Sequence, residues 1–133
     1  MGNLHKLQRI QNTLAKLVCP GHTHSSDALR ILHWLPIRQR IDFKIATLTF
    51  KLLNFGSPAY LACLLKPYLP VRALRSHGQQ LLVRPHVKSS IGSRAFRVAA
   101  PTVWNSLPLP IRLSPSIDIF RRELKTYLFT MKT

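Results

Sequence analysis

The chain has 133 residues, of which 20 are Lys or Arg and four are Asp or Glu, so its formal net charge at pH 7 is +16. A hydrophobic content of 46% argues against wholesale disorder, and the length fits one domain with a modest core. The two cysteines form no C-x-x-C pair, which gives a zinc site little support.

The N-terminal segment has the apolar periodicity of an amphipathic helix over residues 3–18, with Asn3 as its N-cap. Its apolar stripe consists of Leu4, Leu7, Ile10, Leu14, Leu17 and Val18, and Lys6, Arg9 and Lys16 take the other side. We expect the stripe to face the core. The alternatives are a docking face for another domain and a helix that lies on a membrane surface.

The same segment lacks the uninterrupted apolar core of a signal peptide, and no apolar run in the chain is long enough to span a bilayer. We therefore expect an intracellular protein, nuclear or cytoplasmic, that is not secreted. Cys19, His22 and His24 could contribute to a zinc site, but a fourth ligand and a rigid frame are missing. The prediction is a solvated loop with no metal and no cofactor.

A short second helix, capped by Ser25 or Ser26, is predicted to end near Leu32, and Trp34 is predicted to anchor it against the next helix. Residues 37–55 should form the longest helix, which carries apolar side chains on most sides and is closed by Gly56. Ser57-Pro58 favours a further helix that ends at about Lys66.

Helical spacing is lost over residues 71–98, here called the basic arm. Residues 81–83 and 86–87 suggest a short strand, and residues 94–98 alternate like a second one, so we expect a short β-hairpin near residues 80–99 that lies on the helices. Ser89, Ser90 and Ser93 could add hydrogen bonds to phosphates. The cations that we expect to contact the phosphates of RNA or DNA are Arg72, Arg75, Arg84, Lys88, Arg94 and Arg97. A solvated, flexible arm is favoured over a formed site.

The stretch from Ser93 to Arg112 mixes small residues, large aromatics and three prolines, which predicts a tightly packed segment against which other elements dock. A short helix should begin near Pro101, residues 107–110 should be extended, and a last helix should run to about Phe129. Its apolar positions are Ile117, Phe120, Leu124, Tyr127 and Leu128. The predicted core anchors are Trp34, Phe96, Trp104 and Phe120. The whole chain is predicted to be one mainly α-helical domain of about five helices.

Three long strings carry a family resemblance: RAFRVAAPTVWNSLPLPIR, LHWLPIRQRIDFKIATLTFKLL and GSPAYLACLLKPYLP. They resemble the C-terminal region of reverse transcriptases from LINE-type (non-LTR) retrotransposons, downstream of the catalytic palm. The resemblance runs from about Leu7 to the end of the chain. It implies a thumb-like region and the parts beyond it, which hold template RNA and the target DNA end.

The family's polymerase chemistry needs carboxylates of a Tyr-x-Asp-Asp loop, and this chain has no Asp-Asp pair. The parent's endonuclease domain is absent as well. Paired carboxylates, a Gly-x-Ser-x-Gly elbow and a phosphate loop are also missing, so an enzyme is not expected.

The acid-free window between Asp42 and Asp118 and the resemblance together predict a non-catalytic fragment with non-specific, electrostatic binding of RNA or DNA. Two alternatives remain. The chain could be a transposon-derived module for an unknown protein partner or an anionic membrane surface, or it could be a relic without a function.

Overall fold

A computed structural model describes residues 2–75 and 78–131. These residues form α1 (Asn3–Val18), α2 (Ser25–Ile31), α3 (Ile37–Phe55), α4 (Ala59–Ala62), α5 (Phe96–Ser106), α6 (Leu109–Arg112), α7 (Ile117–Thr130) and one 3-10 turn (Gly92–Arg94). The predicted mainly helical class is confirmed. The bounds of α1 and α3 are those that the apolar periodicity indicated, and α2 and α7 differ from prediction by about a residue at their C-terminal ends.

The chain divides into two compact units. The first unit contains the residues up to Phe43 together with those from Leu124 onward, and the second unit runs from Lys44 to Glu123. Helices α3 and α7 contribute residues to both units. The expectation of a single domain stays a prediction.

Small side chains join α1 to α2 in the first unit. Ala15 of α1 and Ala28 of α2 are fully enclosed and form a cluster with Leu29, against which Cys19 and Leu32 pack. Because alanine has a single methyl group, two helices can approach closely at such positions. The contact fixes which face of α1 points inward.

That inward face combines the small apolar Ala15 with polar glutamines, and the prediction that the apolar stripe of α1 faces the core is wrong. The buried residues of α1 are Gln11 and Ala15. Gln11 Nε2 donates to the carbonyl oxygen of Leu35 at 2.9 Å, and the amide of Ile37 donates to Gln8 Oε1 at 2.8 Å. These bonds satisfy backbone groups at the start of α3 that have no helical partner, so the two glutamines rather than the leucines turn inward.

Trp34 was predicted to anchor α2 against α3. Its side chain is instead 37% exposed. His33 has a left-handed backbone with a φ of 53°. The amide of Trp34 donates to the carbonyl oxygen of Leu29 at 2.8 Å. The chain therefore reverses sharply after α2, and Leu35 is buried in place of Trp34.

The core of the second unit is an aromatic cluster. Phe50 and Phe120 stack with ring centroids 4.4 Å apart, and Trp104 lies 6.0 Å from Phe120 and 6.5 Å from Phe50. All three side chains are buried, whereas Phe96 is half-buried. Stacked and tilted aromatic pairs at these distances stabilise a core beyond the area that they bury.

The predicted hairpin near residues 80–99 is absent from the described residues. Residues 81–83 pair instead with residues 66–68: the Tyr68 amide donates to Leu81 and the Val83 amide to Lys66, each at 2.8 Å. One antiparallel bridge, between Pro67 and Leu82, results. Residues 94–98 turn into the start of α5, because the Val98 amide donates to the Ala95 carbonyl oxygen and begins a helix.

The structure differs from the prediction in where α4 ends and where α5 and α6 begin, three boundaries that lie near prolines. Helix α5 begins at Phe96 and carries Pro101 in its interior, and Pro108 precedes a helical turn where an extended segment was expected. Proline is well tolerated in the first turn of a helix, as at Pro110 in α6. Helix α4 ends at Ala62 instead of Lys66, and tighter turns to Leu64 and Leu65 replace its last residues.

Candidate nucleic-acid interface

The six cations predicted to contact phosphates are exposed in the structure, and all belong to the second unit. They lie in three stretches of the basic arm. Arg72 and Arg75 belong to an irregular segment that precedes Ser76 and His77, two positions outside the described residues. Arg84 and Lys88 follow the bridge at Leu82, and Arg94 and Arg97 flank the beginning of α5.

Side chains of α5 hold the middle of the arm in place. Asn105 accepts from the Leu82 amide at 2.9 Å and donates to the Leu82 carbonyl oxygen at 2.8 Å. Trp104 Nε1 donates to the carbonyl oxygen of Gln80 at 2.8 Å. Residues 80–82 are therefore hydrogen-bonded to α5, and Arg84 follows a segment that is tied to the core. The flexibility of the arm stays a prediction.

Ser89 and Ser93 form hydrogen bonds with backbone groups of the arm itself. The amide of Gly92 donates to Ser89 Oγ at 2.9 Å, and Ser93 Oγ donates to the carbonyl oxygen of Ser90 at 2.7 Å. A Cβ atom at Gly92 would lie 2.9 Å from Ser89 Oγ, so this turn fits glycine closely. Ser93 uses its hydroxyl proton in this turn, whereas Ser89 acts here as an acceptor.

The second unit has little acid to offset these cations. It holds twelve Lys and Arg residues but only Asp118 and Glu123 as acids. Glu123 Oε2 accepts from Ser114 Oγ at 3.0 Å, so part of this small acidic complement already has a partner. The sequence of the arm itself contains no Asp or Glu, so any acid that offsets its cations must come from outside the arm.

One base of the second unit, Arg112, is buried, which the sequence did not reveal. Its Nε and Nη1 atoms are enclosed and have no hydrogen-bond partner among residues 2–75 and 78–131. Burial lowers the pKa of its guanidinium from the usual value. Because these nitrogens are shielded from solvent, Arg112 belongs to the interior rather than to the candidate interface.

The first unit contributes a second basic surface. An open groove of about 700 Å³ is lined by His5, Arg30 and Arg38 among apolar side chains such as Leu4 and Leu29. Asp42 lies one turn after Arg38 on α3, and its carboxyl has a raised pKa because of burial, partly opposed by the charge of Arg38. No motif predicts this groove, since its lining comes from distant parts of the chain.

Residues 2–75 and 78–131 contain no group of three or more His, Cys, Asp or Glu side chains that could hold a metal ion. Within the same residues, no helix is both long enough and apolar enough to span a bilayer.

Comparisons with protein-family models, with curated proteins and with solved structures yield no match to this chain. Fold and charge define a small, mainly helical and strongly basic protein.

Proposed function

We propose that the chain is a non-catalytic nucleic-acid-binding protein, related to the C-terminal region of LINE-type reverse transcriptases, that holds RNA or DNA through phosphates. The single observation that carries the proposal is the row of six exposed cations on a segment without acids. Phosphate contacts of this kind supply affinity without reading sequence. The proposal places the protein in the nucleus or cytoplasm, where such polymers occur.

The hydrogen bonds between α5 and the arm support the proposal that RNA or DNA binds to a surface that is already formed in the free protein. A cation that projects from an ordered backbone loses less conformational freedom on binding than one on a mobile chain. Asn105 and Trp104 provide this order near Arg84, and the start of α5 provides it for Arg97. Trp104 is not available to stack on bases, because it is buried in the core.

The test is the affinity for a fluorescein-labelled single-stranded RNA, measured by anisotropy over a salt series. If all six cations contact phosphates, the slope of log K against log salt is about −4, since each contact contributes roughly −0.7. Affinity then falls by about two to three orders of magnitude between 50 and 200 mM salt. Replacing the six cations with Gln should remove most of this slope.

A matched control removes the same charge from the first unit. The variant K6Q/R9Q/K16Q/R30Q/R38Q/R40Q also replaces six exposed cations, and it should retain most of the salt slope because the arm is intact. Equal losses in the two variants would mean that net charge alone, and not the arm, attracts RNA. Affinity that is independent of salt in the unaltered protein would reject the electrostatic mechanism altogether.

A further inference from the structure

Helix α1 carries an apolar surface that the fold leaves uncovered. Leu7, Ile10, Leu14 and Leu17, here called the outer stripe, are 49%, 57%, 48% and 72% exposed. The neighbouring face of the same helix, with Gln11 and Ala15, packs inward. Contiguous exposed apolar side chains on one helix face are a feature of interaction sites.

The spacing of the outer stripe favours a helix as its occupant. Its members recur at steps of three, four and three residues, which are the a and d positions of a heptad repeat. These four form a seam along a helix of 16 residues. Leu4 and Val18, which are 40% and 58% exposed, widen the apolar face on the side away from Lys6 and Arg9. A helix that lies on lipid usually adds aromatic side chains to its apolar face, and α1 has no Phe, Tyr or Trp.

The charges beside the seam determine which side chains a partner helix needs in order to bind there. Lys6 lies at a g position directly beside the outer stripe, Arg9 and Lys16 lie at c positions farther round on the same side, and α1 contains no acid. Lys6 and Arg9 line a shallow cavity of about 420 Å³ together with Ile10, Thr13 and Leu14, so cations and apolar side chains share one surface. An occupant therefore needs apolar side chains in the seam and carboxylates along its edge.

A second copy of this chain does not meet that requirement. Pairing α1 with α1 would place the same cations near each other with no acid in either helix, between molecules that each carry a net charge of +16. Like charges placed together across an interface oppose association. RNA would satisfy the cations but would leave the four aliphatic side chains in water.

We propose that the outer stripe is the docking surface for an acidic amphipathic helix of a partner protein. The partner's apolar side chains pack between Leu7, Ile10, Leu14 and Leu17, as in a two-helix seam, and its carboxylates pair with Lys6, Arg9 and Lys16. This surface lies in the first unit and shares no residue with the basic arm, so it is independent of RNA binding.

The test uses a synthetic helical peptide of about three heptads with Leu at a and d and Glu at e and g, labelled for anisotropy. A control peptide carries Gln in place of Glu. We expect the acidic peptide to bind more tightly than the control, and the L14Q/L17Q variant to bind it at least about tenfold more weakly. The K6Q/R9Q/K16Q variant should also lose about tenfold, together with its salt dependence.

Three controls make the outcome specific. All substituted side chains are exposed, so circular dichroism should not change, and the midpoint of thermal unfolding should not fall. The L69Q/V71Q variant removes exposed apolar surface from the second unit and should bind the peptide normally. The variant with Gln at all six cations of the basic arm, here called the six-cation arm variant, should lose RNA binding and still bind the peptide.

Three outcomes would overturn the proposal. The first is equal affinity of the unaltered protein and L14Q/L17Q for the peptide. The second is binding to phosphatidylserine vesicles without peptide binding, which would assign the stripe to a lipid surface. The third is dimerisation in sedimentation equilibrium that L14Q/L17Q abolishes, which would assign the stripe to a second copy.

Discussion

Arg112 is the residue whose environment is hardest to reconcile with its chemistry. A guanidinium has five N–H donors and is normally paired or solvated, yet the Nε and Nη1 atoms of Arg112 are enclosed without a partner in the part of the chain that the structure describes. The aliphatic part of the side chain fills space beside α6, so packing and charge act in opposite directions at this position. Its charge weakens the fold while its volume supports it.

Replacement of Arg112 by Met should therefore stabilise the protein. Methionine retains much of the volume and removes the unpaired charge, so we expect the free energy of unfolding to rise by up to about 2 kcal/mol. Urea denaturation followed by circular dichroism gives the value. Arg121→Met is the control, because Arg121 is exposed and should change stability by no more than about 0.5 kcal/mol. A clear loss of stability in Arg112→Met alone would show that the guanidinium has a partner in solution.

At the scale of elements, α1 and α7 show how far periodicity predicts structure. Both have an apolar stripe at helical spacing, and both form helices near the expected bounds. In α7 the stripe points inward, with Phe120, Leu124 and Leu128 buried. In α1 it points outward, because Gln8 and Gln11 bond to backbone groups at the start of α3. Periodicity identifies the two faces of a helix but not the face that docks.

The basic arm divides in the same way into a predictable and an unpredictable part. Exposure of the six cations followed from their charge and from the lack of acids nearby. The position of the backbone at residues 80–82 could not be predicted, because its hydrogen-bond partner is the amide side chain of Asn105 instead of a second strand. A short apolar run such as Leu81-Leu82-Val83 suggests an extended segment, but it does not identify what pairs with that segment.

Asn105 should accordingly be important for both stability and the arm. In Asn105→Ala the amide and carbonyl of the buried Leu82 lose their partners, so we expect a loss of about 2 kcal/mol in the free energy of unfolding. Hydrogen exchange of the Leu82 amide should accelerate as well. Asn54→Ala is the control: Asn54 is exposed and donates only to the Phe50 carbonyl oxygen one turn earlier on α3, so stability should hardly change. Equal effects of the two substitutions would contradict the anchoring role.

For the whole molecule, the largest electrostatic effect is the repulsion among twenty cations with four acids to offset them. Repulsion within a compact state is larger than in an expanded chain, so a high net charge lowers the free energy of unfolding. Salt screens it over a Debye length of about 10 Å at 0.1 M. The folded state should therefore depend on small ions and on polyanions more than a neutral helical protein does.

We expect the midpoint of thermal unfolding to rise with NaCl, most steeply below about 0.15 M, where the Debye length is still about 8 Å or more. Heparin at low salt should raise the midpoint further, because a polyanion that binds the folded state stabilises it by mass action. The six-cation arm variant should start from a higher midpoint at low salt and respond less to either addition, because it carries less of the repulsion. Differential scanning calorimetry measures all three effects. A midpoint that does not change with NaCl would mean that the cations are too far apart to repel, and a midpoint raised by sucrose as much as by heparin would mean that charge is not the cause.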